Sequence, residues 1–270
     1  MLKQRIISGI LLCAVITPLL FLSHIPLLLN FAVGILSAYT LFEILGVTKY
    51  IETKNVMAIS LIFAFAIPFI RNFDRENITR AIFIFAVLLF ATIIFSKGNY
   101  SFEHIGVVFL VSMIIPFFYS TLLYVRSLEN GQFSIFLVFI GAFGTDVGAY
   151  FSGMLFGRHK LAEHISPNKT VEGAIGGIVF AVAFFLLYYL IIYTAFGQTM
   201  NVPVLVVAAI LTAVVSQIGD LSASIIKRTF HVKDFGQLMP GHGGLFDRFD
   251  SVLFASPFLY VFLSMFSLYN

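Results

Sequence analysis

Val202-Pro203-Val204-Leu205-Val206-Val207-Ala208-Ala209-Ile210-Leu211-Thr212-Ala213-Val214-Val215-Ser216-Gln217-Ile218-Gly219-Asp220 decides what kind of molecule this is. The run continues to Ile226. A helix needs about 20 apolar residues to cross the hydrocarbon core of a bilayer, and this stretch has them. It also carries a carboxylate. An aspartate at the centre of such a helix costs about 2.5–3.5 kcal/mol on insertion scales, so it needs a partner, a proton or an ion.

The same texture repeats in both directions. Apolar runs between charged or turn-rich breaks predict nine spans, at 6–22, 26–45, 56–70, 81–95, 105–124, 133–155, 171–196, 202–226 and 250–268. Composition agrees: of 270 residues, 60% are hydrophobic and 11% charged, and the mean hydropathy is +1.00. A soluble domain carries about 25% charged residues, so an ordinary soluble protein and a disordered one are both excluded. A net charge of +3 is too weak to suggest nucleic acid. The single cysteine, Cys13, excludes an intrachain disulfide. Met1-Leu2-Lys3-Gln4-Arg5 leads into an apolar run longer than a secretory h-region, with no A-x-A site after it, and reads as a first span.

Loop charge tests the count. With nine spans, Lys3, Arg5, Lys49, Lys54, Lys97, Arg158, Lys160, Lys169, Lys227, Arg228, Lys233 and Arg248 share one side, and Arg71, Arg75, Arg80 and Arg126 the other. Positive charge favours the cytoplasm. The expected fold class is therefore an all-α polytopic membrane protein of about nine transmembrane helices, N-terminus cytoplasmic and C-terminus on the opposite side. Residues 1–130 are expected to form a scaffold able to dimerise. Residues 131–270 are expected to form the catalytic region, with cytoplasmic loops 156–171 and 227–250.

The aspartates are concentrated there. Asp74 sits in an outer loop, but Asp146, Asp220, Asp234, Asp247 and Asp250 all fall in the second half. Asp146 and Asp220 lie in the cytoplasmic halves of spans six and eight, and Asp247 and Asp250 at the start of span nine. All four are expected at similar depth. Asp247 and Asp250, three apart, share one helical face. Ser216, Asp220, Ser224 and Lys227 form a polar stripe on span eight. The hydroxyls also suit helix–helix hydrogen bonding, and a salt bridge to Lys227 or Arg228 is the alternative for Asp220. Clustered carboxylates repel unless cations separate them, and hard oxygen ligands suit Mg²⁺. Asp146, Asp220, Asp247 and Asp250 are the candidate metal ligands, for Mg²⁺ and a second cation.

Two loops mix charge with glycine. Lys227-Arg228 and Lys233-Asp234 precede Pro240-Gly241-His242-Gly243-Gly244-Leu245-Phe246-Asp247-Arg248-Phe249-Asp250. Glycines let a backbone approach phosphate and aim N–H groups at it, while Lys and Arg supply charge. A positive-inside loop alone explains the bases but not the acids. Upstream, Ser166-Pro167-Asn168-Lys169-Thr170 leads into span seven, where Thr170 also suits a helix cap. Gly144-x-x-x-Gly148 and Gly173-x-x-x-Gly177 read as close helix packing.

From Ser224 to Asp250, the pattern Ser224-x-Ile226-Lys227-Arg228-x4-Lys233-Asp234-x-Gly236-x2-Met239-Pro240-x-His242-Gly243-Gly244-Leu245-x-Asp247-Arg248-Phe249-Asp250 resembles the signature of bacterial phosphatidate cytidylyltransferases (CDP-diglyceride synthases). Met239 stands where Leu, Ile or Phe is usual. Asp146 with Ala149-Tyr150-Phe151, and Ile165 to Gly173, are similar to the same family. The resemblance implies CTP + phosphatidate → CDP-diacylglycerol + diphosphate with Mg²⁺, at the cytoplasmic face of the inner membrane, in phospholipid biosynthesis. It also implies a homodimer. It casts Asp220, Asp247, Asp250, Lys227 and Arg248 as catalytic. Ser166, Lys169, Ser224, Arg228, Lys233, His242, Gly243 and Gly244 are cast as substrate-binding. The competing expectations are a CTP-dependent polyprenol or phytol kinase and an ion-coupled transporter.

Overall fold

The computed structural model describes residues 2–48, 54–70, 75–95, 101–238 and 243–269, with the side chains of 2–8 and 75 excepted. Among these residues nine α-helices follow one another: α1 (Leu2–Phe21), α2 (Leu28–Thr48), α3 (Lys54–Ile70), α4 (Arg75–Phe95), α5 (Phe102–Ser127), α6 (Gly131–Phe156), α7 (Val171–Phe196), α8 (Val202–Thr229) and α9 (Phe246–Met265). They match the nine apolar runs in order. Six of them, α2 and α4 to α8, are long and apolar enough to cross a membrane. Within the described residues the apolar stretches of α1 (Gly9–His24) and α3 (Lys54–Ile70) are shorter, and α9, which opens on Asp247, Arg248 and Asp250, is not among the six. The expectation of nine spans is met in part: nine helices follow the nine apolar runs, and within the described residues six of them are long and apolar enough to cross a membrane.

One element departs from an all-α reading. Strands β1 (Lys160–Ala162) and β2 (Ser166–Thr170) form a small antiparallel hairpin in the loop before α7. Its strands are short and mostly polar, so hydropathy carries no sign of them.

The described residues divide into two compact units. The first joins 1–123 with 232–248, and the second joins 124–231 with 249–270. In the first, α2 and α3 pack closely: Asn30 donates to the Pro68 carbonyl at 2.7 Å, and Gly34 lies against Phe65. Phe63 and Phe85 stack at 4.3 Å to join α3 to α4.

In the second unit, α6 and α7 run antiparallel along a glycine stripe, as the spaced glycines predicted. A Cβ on Gly177 would lie 2.9 Å from the Thr145 carbonyl oxygen, and one on Gly173 2.8 Å from that of Ala149. Small residues let two backbones approach where lipid offers no hydrophobic drive. Further along the same crossing, Phe133 and Phe196 meet at 5.1 Å. Helices α8 and α9 are also antiparallel: the Asn201 N–H donates to the Leu268 carbonyl, while Gly219 faces the Asp250 carbonyl oxygen.

Candidate active site

Three of the four candidate acids come together in the second unit. Asp146 projects from α6, Asp220 from α8 and Asp250 from α9. Asp220, Asp146 and Lys227 all act electrostatically on the Asp250 carboxylate. Asp250 is buried, at 5% exposure, and its carboxylate accepts the Ser251 N–H at 2.7 Å. The Ser251 hydroxyl donates to Asp146 at 3.3 Å, which ties α9 to α6. Close approach of α8 makes the cluster possible: a Cβ on Gly219 would lie 2.7 Å from the Asp250 carbonyl oxygen and 3.0 Å from the Phe254 ring.

Asp220 pairs with Lys169, not with Lys227 or Arg228. Lys169 reaches it from β2, held at the head of α7 by several contacts. Thr170 caps α7, accepting the Gly173 N–H at 3.1 Å, as its position predicted. Glu172 accepts the N–H of Arg158 at 3.0 Å and binds the His159 ring at 2.6 Å, closing the hairpin onto the helix. Arg228 donates from Nε to the Ile165 carbonyl at 3.0 Å, fastening the end of α8 to the same hairpin. Ser166 opens β2 and is half-buried, while Ser216 and Ser224 are buried on α8, on the same stripe as Asp220.

Asp247 belongs to the first unit and organises a loop. Its Oδ2 accepts the N–H of Phe235 and of Gly244, both at 2.9 Å, and the side chain is 8% exposed. Gly243 turns with φ +83°, a conformation open to glycine, and a Cβ there would lie 2.8 Å from the same oxygen. Phe235 and Phe246 pack edge to face at 4.7 Å beneath the turn. Lys233 and Asp234 are exposed, and Arg248 is half-buried. His242 lies outside the described residues, as do the loop charges Lys49, Arg71, Asp74 and Lys97.

In this structure the glycine turn is organised by carboxylates. The Gly244 amide, one of those the sequence offers to phosphate, donates to Asp247. A phosphate contact there has to displace that carboxylate. The next two amides are also engaged. Leu245 and Phe246 donate to Oε1 and Oε2 of Glu43, at 2.9 and 2.7 Å.

Among the described residues, no three His, Cys, Asp or Glu side chains stand at the spacing of a metal site. The donor set of the second unit nevertheless suits a hard divalent cation. Three carboxylates gather about two ammonium groups, those of Lys169 and Lys227, so negative charge is in excess.

Beside this geometry stand the comparisons with known proteins. The sequence profile of the cytidylyltransferase family matches residues 3–266. The chain belongs to that family. It is 36% identical to the phosphatidate cytidylyltransferase of Bacillus subtilis (strain 168), covering 98% of both chains. It is 31% identical to that of Staphylococcus haemolyticus (strain JCSC1435) and 30% to that of Haemophilus influenzae (strain ATCC 51907 / DSM 11121 / KW20 / Rd), each alignment covering 97% of this chain and 98% of the relative. This cytidylyltransferase is thus a nucleotidyltransferase enzyme whose similarity runs the whole length, through the apolar N-terminal helices as well as the C-terminal signature.

Glu43 is the residue that sequence reasoning passed over. It is a lone acid inside the second predicted span, subject to the same lipid penalty that singled out Asp146 and Asp220. That penalty was the available signal. Its partners, more than two hundred positions away, were not readable.

Proposed function

We propose that the enzyme is a phosphatidate cytidylyltransferase, converting CTP and phosphatidate to CDP-diacylglycerol and diphosphate at the cytoplasmic face of the membrane. The observation that carries this reading is the Ser224–Asp250 signature, set within relatives named for that activity. Formation of CDP-diacylglycerol requires a phosphatidate phosphate oxygen to attack the α-phosphorus of CTP. The bond from that phosphorus to the β-phosphate bridge breaks, and diphosphate leaves. The nucleophile is already an anion, so no covalent protein intermediate is needed. The barrier is bringing anions together and releasing another, which makes positioning and charge neutralisation the main tasks.

Asp220 and Asp250 would hold Mg²⁺, alone or with a second cation, with Asp146 behind them through Ser251; the signature, and not the fold, adds Asp247 to this ligand set. The ion's chemistry is to neutralise the reacting and departing phosphates. Lys169 exchanges its carboxylate partner for a substrate phosphate. Lys227, Arg228, Lys233 and Arg248 bind further phosphate oxygens, and Ser166 and Ser224 donate hydroxyls. The hairpin fixes Lys169 and Arg228 to a common support, so that both charges hold their places while substrate enters. The acyl chains stay in lipid while the headgroup enters from the cytoplasm.

Purified protein is expected to form CDP-diacylglycerol and diphosphate from CTP, phosphatidate and Mg²⁺, and neither in excess chelator. Release of CDP without diphosphate would favour the lipid kinase instead. Turnover undiminished by the chelator would remove the metal from the mechanism.

The nine-span topology, with the N-terminus inside, is part of the same reading. It puts the end of α2 and the start of α9 on one side. Bonding of Glu43 to the amides that open α9 supports that arrangement. So does the excess of Lys and Arg on the same side. A reporter active only outside the cytoplasm should work when fused after α9 and fail when fused after α8. The reverse result would overturn the orientation.

A further inference from the structure

We propose that Glu43 is a positioning residue for nucleotidyl transfer, acting through the turn that carries Asp247. The proposal rests on the transferase reading above. Glu43 is 5% exposed near the end of α2, and its two oxygens accept consecutive backbone amides, Leu245 and Phe246. Asp247 takes the amide immediately before, Gly244, and reaches across to Phe235. Three successive N–H groups at the head of α9 are therefore held by two carboxylates, one from this loop and one from a distant helix.

The glycines complete the arrangement. A Cβ on Gly244 would lie 2.6 Å from both Glu43 oxygens, and one on Gly236 would collide with Oε1. Both sides of the loop are shaped to admit this side chain. Hydrogen bonds at the start of a helix fix where its first turn begins, and that turn carries Asp247. Glu43 thus sets the register of Asp247 without itself reaching the substrate. Glutamine is a sharp probe. It keeps the length, but one oxygen becomes an NH2 donor facing another donor, so one of the two bonds is lost.

The test is Glu43→Gln in the full-length enzyme, with kcat and KM for CTP measured beside backbone amide exchange on a peptide spanning 243–247. The expected result is a fall in kcat of about tenfold to a hundredfold, as for a misplaced catalytic group. KM for CTP should stay within about threefold, because Glu43 does not touch CTP. Exchange should quicken at Gly244, which bonds Asp247 and not Glu43, as well as at Leu245 and Phe246. A wild-type kcat in Glu43→Gln would overturn the proposal. So would a lowered kcat with unchanged exchange over 243–247. If Glu43→Gln does not yield folded protein, Gly236→Ala decides. Its new methyl group pushes the Glu43 carboxylate off the two amides while leaving the residue itself unchanged, and should lower kcat and quicken the same amides. Wild-type behaviour of Gly236→Ala would then refute the idea. If the parent enzyme makes no CDP-diacylglycerol, the functional reading fails instead, and the exchange arm still reports whether Glu43 holds the turn.

Discussion

Asp250→Asn is expected to lose nucleotidyl transfer, by about a thousandfold or more in kcat, in a protein that unfolds at least as late as its parent. The two halves of this expectation have one cause. Asp250 is buried and shares its surroundings with Asp146 and Asp220, against Lys227 and the Lys169 ammonium already paired to Asp220. Like charges held together in a low-dielectric site raise the energy of the folded chain. Asparagine keeps the size and an oxygen able to accept the Ser251 N–H, and removes one negative charge. The protein without substrate loses no stability, and the cluster loses a ligand charge for the reacting phosphates. Stability sacrificed at one place for function is the pattern expected of an active site. Thermal unfolding in detergent and steady-state kinetics on the same preparation check it. Full activity in Asp250→Asn would end the metal assignment. A marked drop in unfolding temperature would instead make Asp250 a structural residue. Asp247→Asn should also abolish turnover, but with some loss of order in the loop, because Asp247 accepts two backbone amides through one oxygen.

The second large effect concerns the crossing of α6 and α7. Gly148→Ala is expected to destabilise the enzyme by about 1–3 kcal/mol, the usual cost of overpacking. A methyl group there would collide with the Phe180 Cβ, and would lie 2.7 Å from Phe180 Cγ and 3.0 Å from the Gly176 carbonyl oxygen. Neither the root of a side chain nor a backbone carbonyl can swing aside, so the helices have to separate. Separation moves the head of α7, where Thr170, Lys169 and the hairpin are anchored, so activity should fall with stability. Gly106→Ala in α5 is the control. Gly106 is exposed and nothing lies within 4 Å of the added methyl. There the change should be neutral, or stabilising by about 0.5–1 kcal/mol through lower backbone entropy. Opposite signs for the same substitution would support the close approach. Unfolding of Gly148→Ala at the parent's temperature would refute it.

The helices, the spaced glycines and the Thr170 cap were legible because each depends on neighbours in the chain. Twenty apolar residues prefer a helix in lipid whatever lies elsewhere, and glycines four apart mark a face whatever meets it. The aspartates Asp146 and Asp220 were legible for a related reason, since a charge in an apolar run needs an explanation wherever it points. Which explanation applies was another matter. For Asp220 the alternative to a cation was a salt bridge to Lys227 or Arg228, whereas Lys169, from a hairpin invisible to hydropathy, pairs with it. Glycines beside Asp247 suggested amides turned toward phosphate, whereas Asp247 and Glu43 occupy those amides. Hydropathy and periodicity measure how a residue suits its medium and its own helix. They carry no record of which remote group arrives beside it. A hydrogen bond acts over about 3 Å, so its partner is chosen only when separate helices are brought together, and here that choice made Asp247 an organiser of its own loop and drew Glu43 to the same turn.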